Sequence, residues 1–131
     1  MPTRNPKASR SRDTLAAVEK QIANNHIEFV RFEQSDTHGI ARSKTIPARH
    51  FDKFARNGLN FLLGQLSLDV QAGVATGTGY LENLGFPDSQ IYPDASTFRI
   101  LPWADKTARI LCEPYFLDGR PAMAAPRLVA K

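Results

Sequence analysis

Three histidines, His26, His38 and His50, stand twelve residues apart, and thirteen carboxylates are scattered over 131 residues. Neither set has the spacing of a metal site, because no histidine has a second ligand at the separation that coordination requires. Nor do two carboxylates stand where they could share a divalent cation, so metal-assisted catalysis cannot be assembled from these residues alone. The run GTGYLE at 77–82 begins like a dinucleotide-binding turn, but Glu82 takes the place of the third glycine and no strand leads into it. A phosphate-cradling Gly-Lys-Ser/Thr is absent. Cys112, the sole cysteine, lies in an alternating apolar run that predicts a buried thiol, and no serine sits in an elbow beside a base. The residue types therefore describe a domain without a self-sufficient active site. Binding modules, structural domains and parts of larger enzymes all stay open.

The elements that would position these residues are short. DTLAAVEKQIANN at 13–25 sets Leu15, Val18 and Ile22 on one stripe and predicts an amphipathic helix. The following HIEFVRFEQSDTHGIARSKTIP predicts a hairpin: Ile27, Phe29, Val30 and Phe32 supply one strand, 35–39 the turn and 40–46 the return. Pro47 then opens a second helix with Phe51, Phe54 and Ala55 on one face, and Asn57 and Gly58 form a left-handed stop. Over 59–85 the periodicity fades and glycines appear at 64, 73, 77, 79 and 85. A loop of that length in a small domain is usually functional unless it hides a strand, which makes it the first place to look for function.

PDASTFRILPW at 93–103 brackets a short strand between prolines, with Asp94, Ser96 and Thr97 able to bond nearby backbone. Residues 108–116 read as a further strand that buries Leu111, Asp118 and Gly119 as a turn, and 120–124 as a final strand, while Pro126 stands where another helix could begin. This order predicts an α+β domain of ubiquitin-like β-grasp architecture, a mixed sheet packed on one principal helix.

The formal charge of +4 is unevenly placed: Arg4, Lys7, Arg10 and Arg12 fall in the first twelve residues, which hold no acid, and the remainder balances thirteen basic against thirteen acidic side chains. That predicts a flexible basic tail over 1–12 on a neutral body, without the basic face of a nucleic-acid module. No apolar run nears the roughly 20 residues that cross a bilayer. With no internal disulfide possible and no signal-like apolar centre near the N-terminus, the expectation is a cytoplasmic protein with neither a membrane nor a nucleic-acid partner.

Three segments, in one order over residues 27–127, resemble the glutamine synthetase family. VRFEQSDTHGIARSKTIPA is similar to its opening hairpin, which runs as strand, acid, glycine, base and Ile-Pro-Ala. DSQIYPDASTFRILPW is similar to its D-x-x-x-x-P-D-x-S-T stretch, and TARILCEPYFLDGRPAMAAPR to its last two strands and the Pro-Arg that leads onward. The resemblance implies that 13–127 form the family's amino-terminal β-grasp domain and that 128–131 begin a link to a catalytic domain. It implies a ligase that phosphorylates the side-chain carboxylate of glutamate with ATP and lets ammonia or an amine displace phosphate. No cofactor is expected in this chain, since ATP and Mg or Mn belong to the catalytic domain. It further implies a ring-shaped homo-oligomer, in which the small domain of one subunit closes the active site of its neighbour, shielding an acyl phosphate from water.

One departure bears on the site. Where the family carries Phe-Asp-Gly-Ser-Ser, this chain reads NFLLGQLSLDV, and Leu62 cannot replace the acid. LSLDVQAGVATGTG looks more like the γ-glutamylpolyamine synthetase branch, and the hairpin is similar to that of lengsin, a relative without synthetase activity. The expectation is that Asp69 faces the amine site of an adjacent subunit with Ser67 nearby; the alternative is that Asp69 only bonds loop backbone. Asp88 and Asp94 match the family pattern and are expected to form turns. The competing function is a non-catalytic structural or assembly domain of a lengsin-like relative.

Overall fold

An apolar strand and a more polar return on either side of a tight turn build the first sheet unit. In the computed structural model, which describes residues 11–80 and 82–130, strand β1 (Phe29–Ser35) pairs antiparallel with β2 (Ala41–Pro47). Helix α1 (Ser11–Asn24) precedes them and starts two residues before the expected 13. The expected basic tail falls, up to residue 10, outside the described residues, as does Lys131 of the expected link. Helix α2 (Phe51–Asn57), strands β3 (Leu59–Leu62), β4 (Asp88–Pro93), β5 (Arg99–Ile100) and β6 (Thr107–Tyr115), and the short helix α3 (Pro126–Val129) follow. The sheet runs β2-β1-β6-β4-β3, with β1 and β6 parallel and every other pair antiparallel. This is the mixed, α+β, β-grasp-like arrangement expected.

Val30 and Phe32 of β1, Ala108, Ile110 and Cys112 of β6 and Ile91 of β4 project from one face onto Leu15 and Val18 of α1 and Phe51 and Ala55 of α2, all buried. The Phe32 and Phe51 rings meet at 5.9 Å between centroids. Cys112 is buried as expected, and burial pushes its thiol pKa well up, so the sulfur stays protonated and unreactive. The three histidines are all exposed.

Four local expectations need correction. Residues 88–93 form a central strand; their one large core residue is Ile91, while the equally buried Ser89 bonds the Phe61 carbonyl at 2.8 Å. Asp88 accordingly opens β4 opposite Leu62 rather than making a turn. Residues 120–124 make no strand; the stretch touches the sheet through a single bridge, Tyr115 to Pro121. Leu111 is only half-buried, because the alternation that sends Ile110 and Cys112 inward turns it to the opposite face beside Glu33. Pro47, the last residue of β2, also caps the 3-10 turn Ala48–His50 that runs into α2, as expected, whereas Gly58 stops α2 at φ 82, ψ 151, an extended conformation of positive φ rather than the left-handed helical one. A Cβ at Gly58 would also lie 3.0 Å from Gln90 Cβ and from Tyr92 Cζ.

The hairpin turn is closed by a carboxylate with no exposed surface. Asp36 Oδ1 accepts from the N–H groups of His38 and Ile40 at 2.9 Å each, and Oδ2 takes Arg42 Nε and Nη2 at 3.1 Å. That explains the acid, glycine and base of the motif: acceptor, positive-φ turn residue (Gly39, φ 78) and counter-ion. Burial works to raise the Asp36 pKa, but the Ile40 and His38 N–H groups and the Arg42 guanidinium outweigh it and hold it below the usual carboxylate value. The folded value being depressed, the stability Asp36 contributes is complete above the ordinary aspartate pKa and is lost as pH falls through the lower folded one. In urea titrations between pH 6 and pH 2, Asp36→Asn is therefore expected to flatten the acid-side loss of stability relative to the unaltered chain; parallel curves would contradict this role.

The sheet is curled, so that its two edge strands approach each other without a backbone ladder between them. Lys44 Nζ on β2 reaches the Asn60 carbonyl on β3 at 2.6 Å and lies over the Phe61 ring at 5.4 Å.

Candidate functional site

The long excursion over 59–85 is largely built. After β3, residues Leu63–Ser67 make a 3-10 turn in which all five are buried. Leu63 and Leu66 pack with Ala122, Ala125 and Leu128 in a second small core. Tyr80 stacks on Phe116 at 5.9 Å and 17°, and its hydroxyl accepts from Ala124 N at 3.3 Å, while Arg120 lies 5.1 Å from the Phe116 ring centroid. The excursion is thus pinned at its root and its return, and the turn over 68–74 stands out from it, closed by the Leu68–Val74 bridge.

Asp69 sits on that turn and is exposed. Its Oδ1 accepts from Gln71 N and Gly73 N at 2.8 Å each, and its backbone N–H donates to Gly73 O at 2.8 Å. The loop-backbone role weighed for this residue is therefore present. Its second oxygen, Oδ2, accepts no hydrogen bond among the described residues, and it lies so close over Gly73 that a Cβ there would meet it at 2.8 Å. One oxygen holds the turn and the other makes no such bond, on a residue that is exposed as a whole.

Ser67 lies two residues before Asp69. It is buried, its hydroxyl lies 2.5 Å from Thr78 Oγ1, and its carbonyl accepts from Ala75 N at 2.8 Å. Its side chain is directed to Thr78.

A second constellation lies where β4 breaks into β5. Asp94 Oδ1 accepts from Ser96 N at 3.1 Å and Ser96 Oγ at 2.6 Å, so its turn-forming role holds. Its Oδ2 receives Arg127 Nη2 at 2.7 Å, and Arg127 also lies 4.0 Å from the buried Glu113. This ties α3 back onto the strand break. Thr97 Oγ1 accepts from Leu111 N at 2.8 Å and donates to Asp94 O at 2.6 Å, occupying the place a strand carbonyl would have filled.

Two contributors were not anticipated from the sequence. His38 Nε2 reaches the Leu68 carbonyl at 2.9 Å across thirty residues, and no local signal marks such a pairing. Arg127 was legible only as part of a Pro-Arg pair. Among the described residues no group of three or more His, Cys, Asp or Glu is placed to hold a metal ion, and no helix is long and apolar enough to cross a membrane.

No family model matches the chain. Over 119 residues it is 37% identical to lengsin of Rattus norvegicus, covering 87% of this chain and 20% of that protein. It is 31% identical over 124 residues to glutamate–isopropylamine ligase of a Pseudomonas species (92% and 27%) and 34% identical over 128 residues to a glutamine synthetase of Methanosarcina mazei (95% and 25%). The chain thus spans only about a fifth to a quarter of the length of the curated relatives it matches. A solved GmaS/ADP complex superposes with a TM-score of 0.65 at 26% identity, covering 84% of this chain and 23% of that one. With the hairpin and the curled mixed sheet, these matches establish that the chain belongs to the glutamine synthetase family and corresponds to its amino-terminal β-grasp domain.

Proposed function

We propose that this domain forms one wall of a composite active site in a glutamine synthetase-like ligase, which uses ATP to join glutamate to ammonia or a larger amine. On this reading the wall closes the pocket of a neighbouring subunit in a ring-shaped, cytoplasmic homo-oligomer. On the same reading, ATP and Mg2+ or Mn2+ are held by a separate catalytic domain. The observation that carries the reading is the half-committed carboxylate of the exposed Asp69: Oδ1 is spent on the turn, and Oδ2 accepts no hydrogen bond among the described residues.

The chemistry asks for such a group. An amine attacks only as the free base, so a carboxylate near its approach both attracts the ammonium form and accepts its proton. The acyl phosphate it attacks must be kept from water, which a rigid second wall accomplishes. Ser67 belongs to the same wall, bracing it from within through Thr78. The relative named for glutamate and isopropylamine supports an amine acceptor.

The likeness to lengsin supports a second reading, a non-catalytic structural or assembly domain. Phosphate release measured in a full-length protein carrying this domain separates the two. The ligase reading expects release that depends on both glutamate and an amine, with none from the 131-residue chain alone. A full-length protein that binds ATP but releases no phosphate with ammonia or any amine would favour assembly, and γ-glutamyl amide formation by the isolated chain would overturn both.

A further inference from the structure

The turn that bears Asp69 is closed by its own backbone and anchored by Ser67, whose carbonyl takes Ala75 N. Neither contact sets how far the turn leans toward the β1–β2 hairpin. The contact that reaches the hairpin is at Leu68, whose carbonyl accepts from His38 Nε2 at 2.9 Å. A carbonyl oxygen only accepts, so His38 donates a proton from Nε2 to it.

His38 is itself held. Its backbone N–H donates to Asp36 Oδ1 at 2.9 Å, and Asp36 is clamped by Ile40 N and by Nε and Nη2 of Arg42. An unbroken relay therefore runs from β2, through a buried carboxylate and an imidazole, to the residue immediately before Asp69. The other tie across the open side of the sheet, Lys44 to the Asn60 carbonyl, fixes only the root of the excursion.

We propose that His38 is a positioning residue: it fixes the 68–74 turn against the hairpin and so sets where the Asp69 carboxylate is presented. The link to amine chemistry rests on the reading of Asp69 given above; the tether itself does not. A group that receives a proton in a transition state must be held within roughly 0.5 Å by its supporting contacts, and an exposed turn has few other means.

Backbone 15N relaxation on the 131-residue chain tests the tether, comparing the unaltered protein with His38→Ala and His38→Gln. His38 is exposed, so both variants keep the core, and glutamine keeps an N–H donor at the end of a similar reach. Order parameters at Asp69, Gln71 and Gly73 are expected to fall in His38→Ala, from about 0.85 toward about 0.6. They should stay high in His38→Gln, with Gly39 and Ile40 unchanged in both. An equally rigid turn in His38→Ala, or a loss that glutamine does not restore, overturns the proposal. In a longer, amine-using protein the KM for amine should rise roughly 2- to 10-fold in His38→Ala, the span of one hydrogen bond, and return in His38→Gln, while the KM for ATP holds. A loosened turn with an unchanged amine KM supports the tether and overturns instead the assignment of Asp69 to the amine.

Discussion

Asp69→Asn in a full-length protein carrying this domain is expected to lower amine-dependent phosphate release by about 100-fold or more, the lower end of what a positioned general base supplies. The substitution separates the two jobs of the residue. Asparagine keeps an oxygen to accept the N–H groups of Gln71 and Gly73, so the turn survives, but it offers no carboxylate to an approaching ammonium. The KM for ATP should hold, because nucleotide binding lies elsewhere on this reading. The deficit should also narrow as pH rises toward the pKa of the amine, where free base supplies itself. A variant that keeps the unaltered rate at every pH would mean that Asp69 only closes its loop.

Phe32→Ala should destabilise the domain by roughly 3 to 5 kcal/mol, the range for emptying a large aromatic site in a packed core. Phe32 has no exposed surface, and its ring meets that of Phe51 in the layer between sheet and helices. Helix α2 leans on this contact, and α2 leads directly through Gly58 into β3 and the excursion, so the cavity would loosen the whole wall. Leu111→Ala, on the half-exposed opposite face, should cost well under half as much. Urea unfolding of both variants measures the contrast, and equal losses would mean that the two faces of the sheet are not distinguished as described.

The hairpin, the helices and the family were legible because their signals are local: a 3.6-residue stripe at Leu15, Val18 and Ile22, a turn acid at Asp36, a proline at 126. Strand β4 was not, since Ser89 and Ile91 give it one apolar core residue, and only the Phe61 carbonyl makes a buried serine acceptable there. The stretch 63–67 carried no period because all of its residues are covered, on one side by the sheet and on the other by residues 122–128. Leu111 shows the limit of counting apolar residues, since the pleat decides which of two neighbours is inside. At the site, Asp69 could be picked out as an acid near a missing one, whereas the pairing of Ser67 with Thr78 depends on how the excursion folds back and the reach of His38 spans thirty residues.

The interruption between β4 and β5 carries a consequence of its own. Both pieces run along β6, yet Pro93 faces Cys112 while Arg99 faces Arg109, so six steps on one side answer three on the other. The surplus is absorbed by the Asp94, Ser96 and Thr97 bonds, with the threonine hydroxyl standing in for a peptide group. Its length therefore acts as a phase setter: losing or gaining one residue would rotate the following stretch by half a pleat, turning Phe98 out to water and Arg99 in toward the apolar layer. Length variation within 94–97 should thus be far less tolerated than in the exposed turn over 117–120, even though both look like loops.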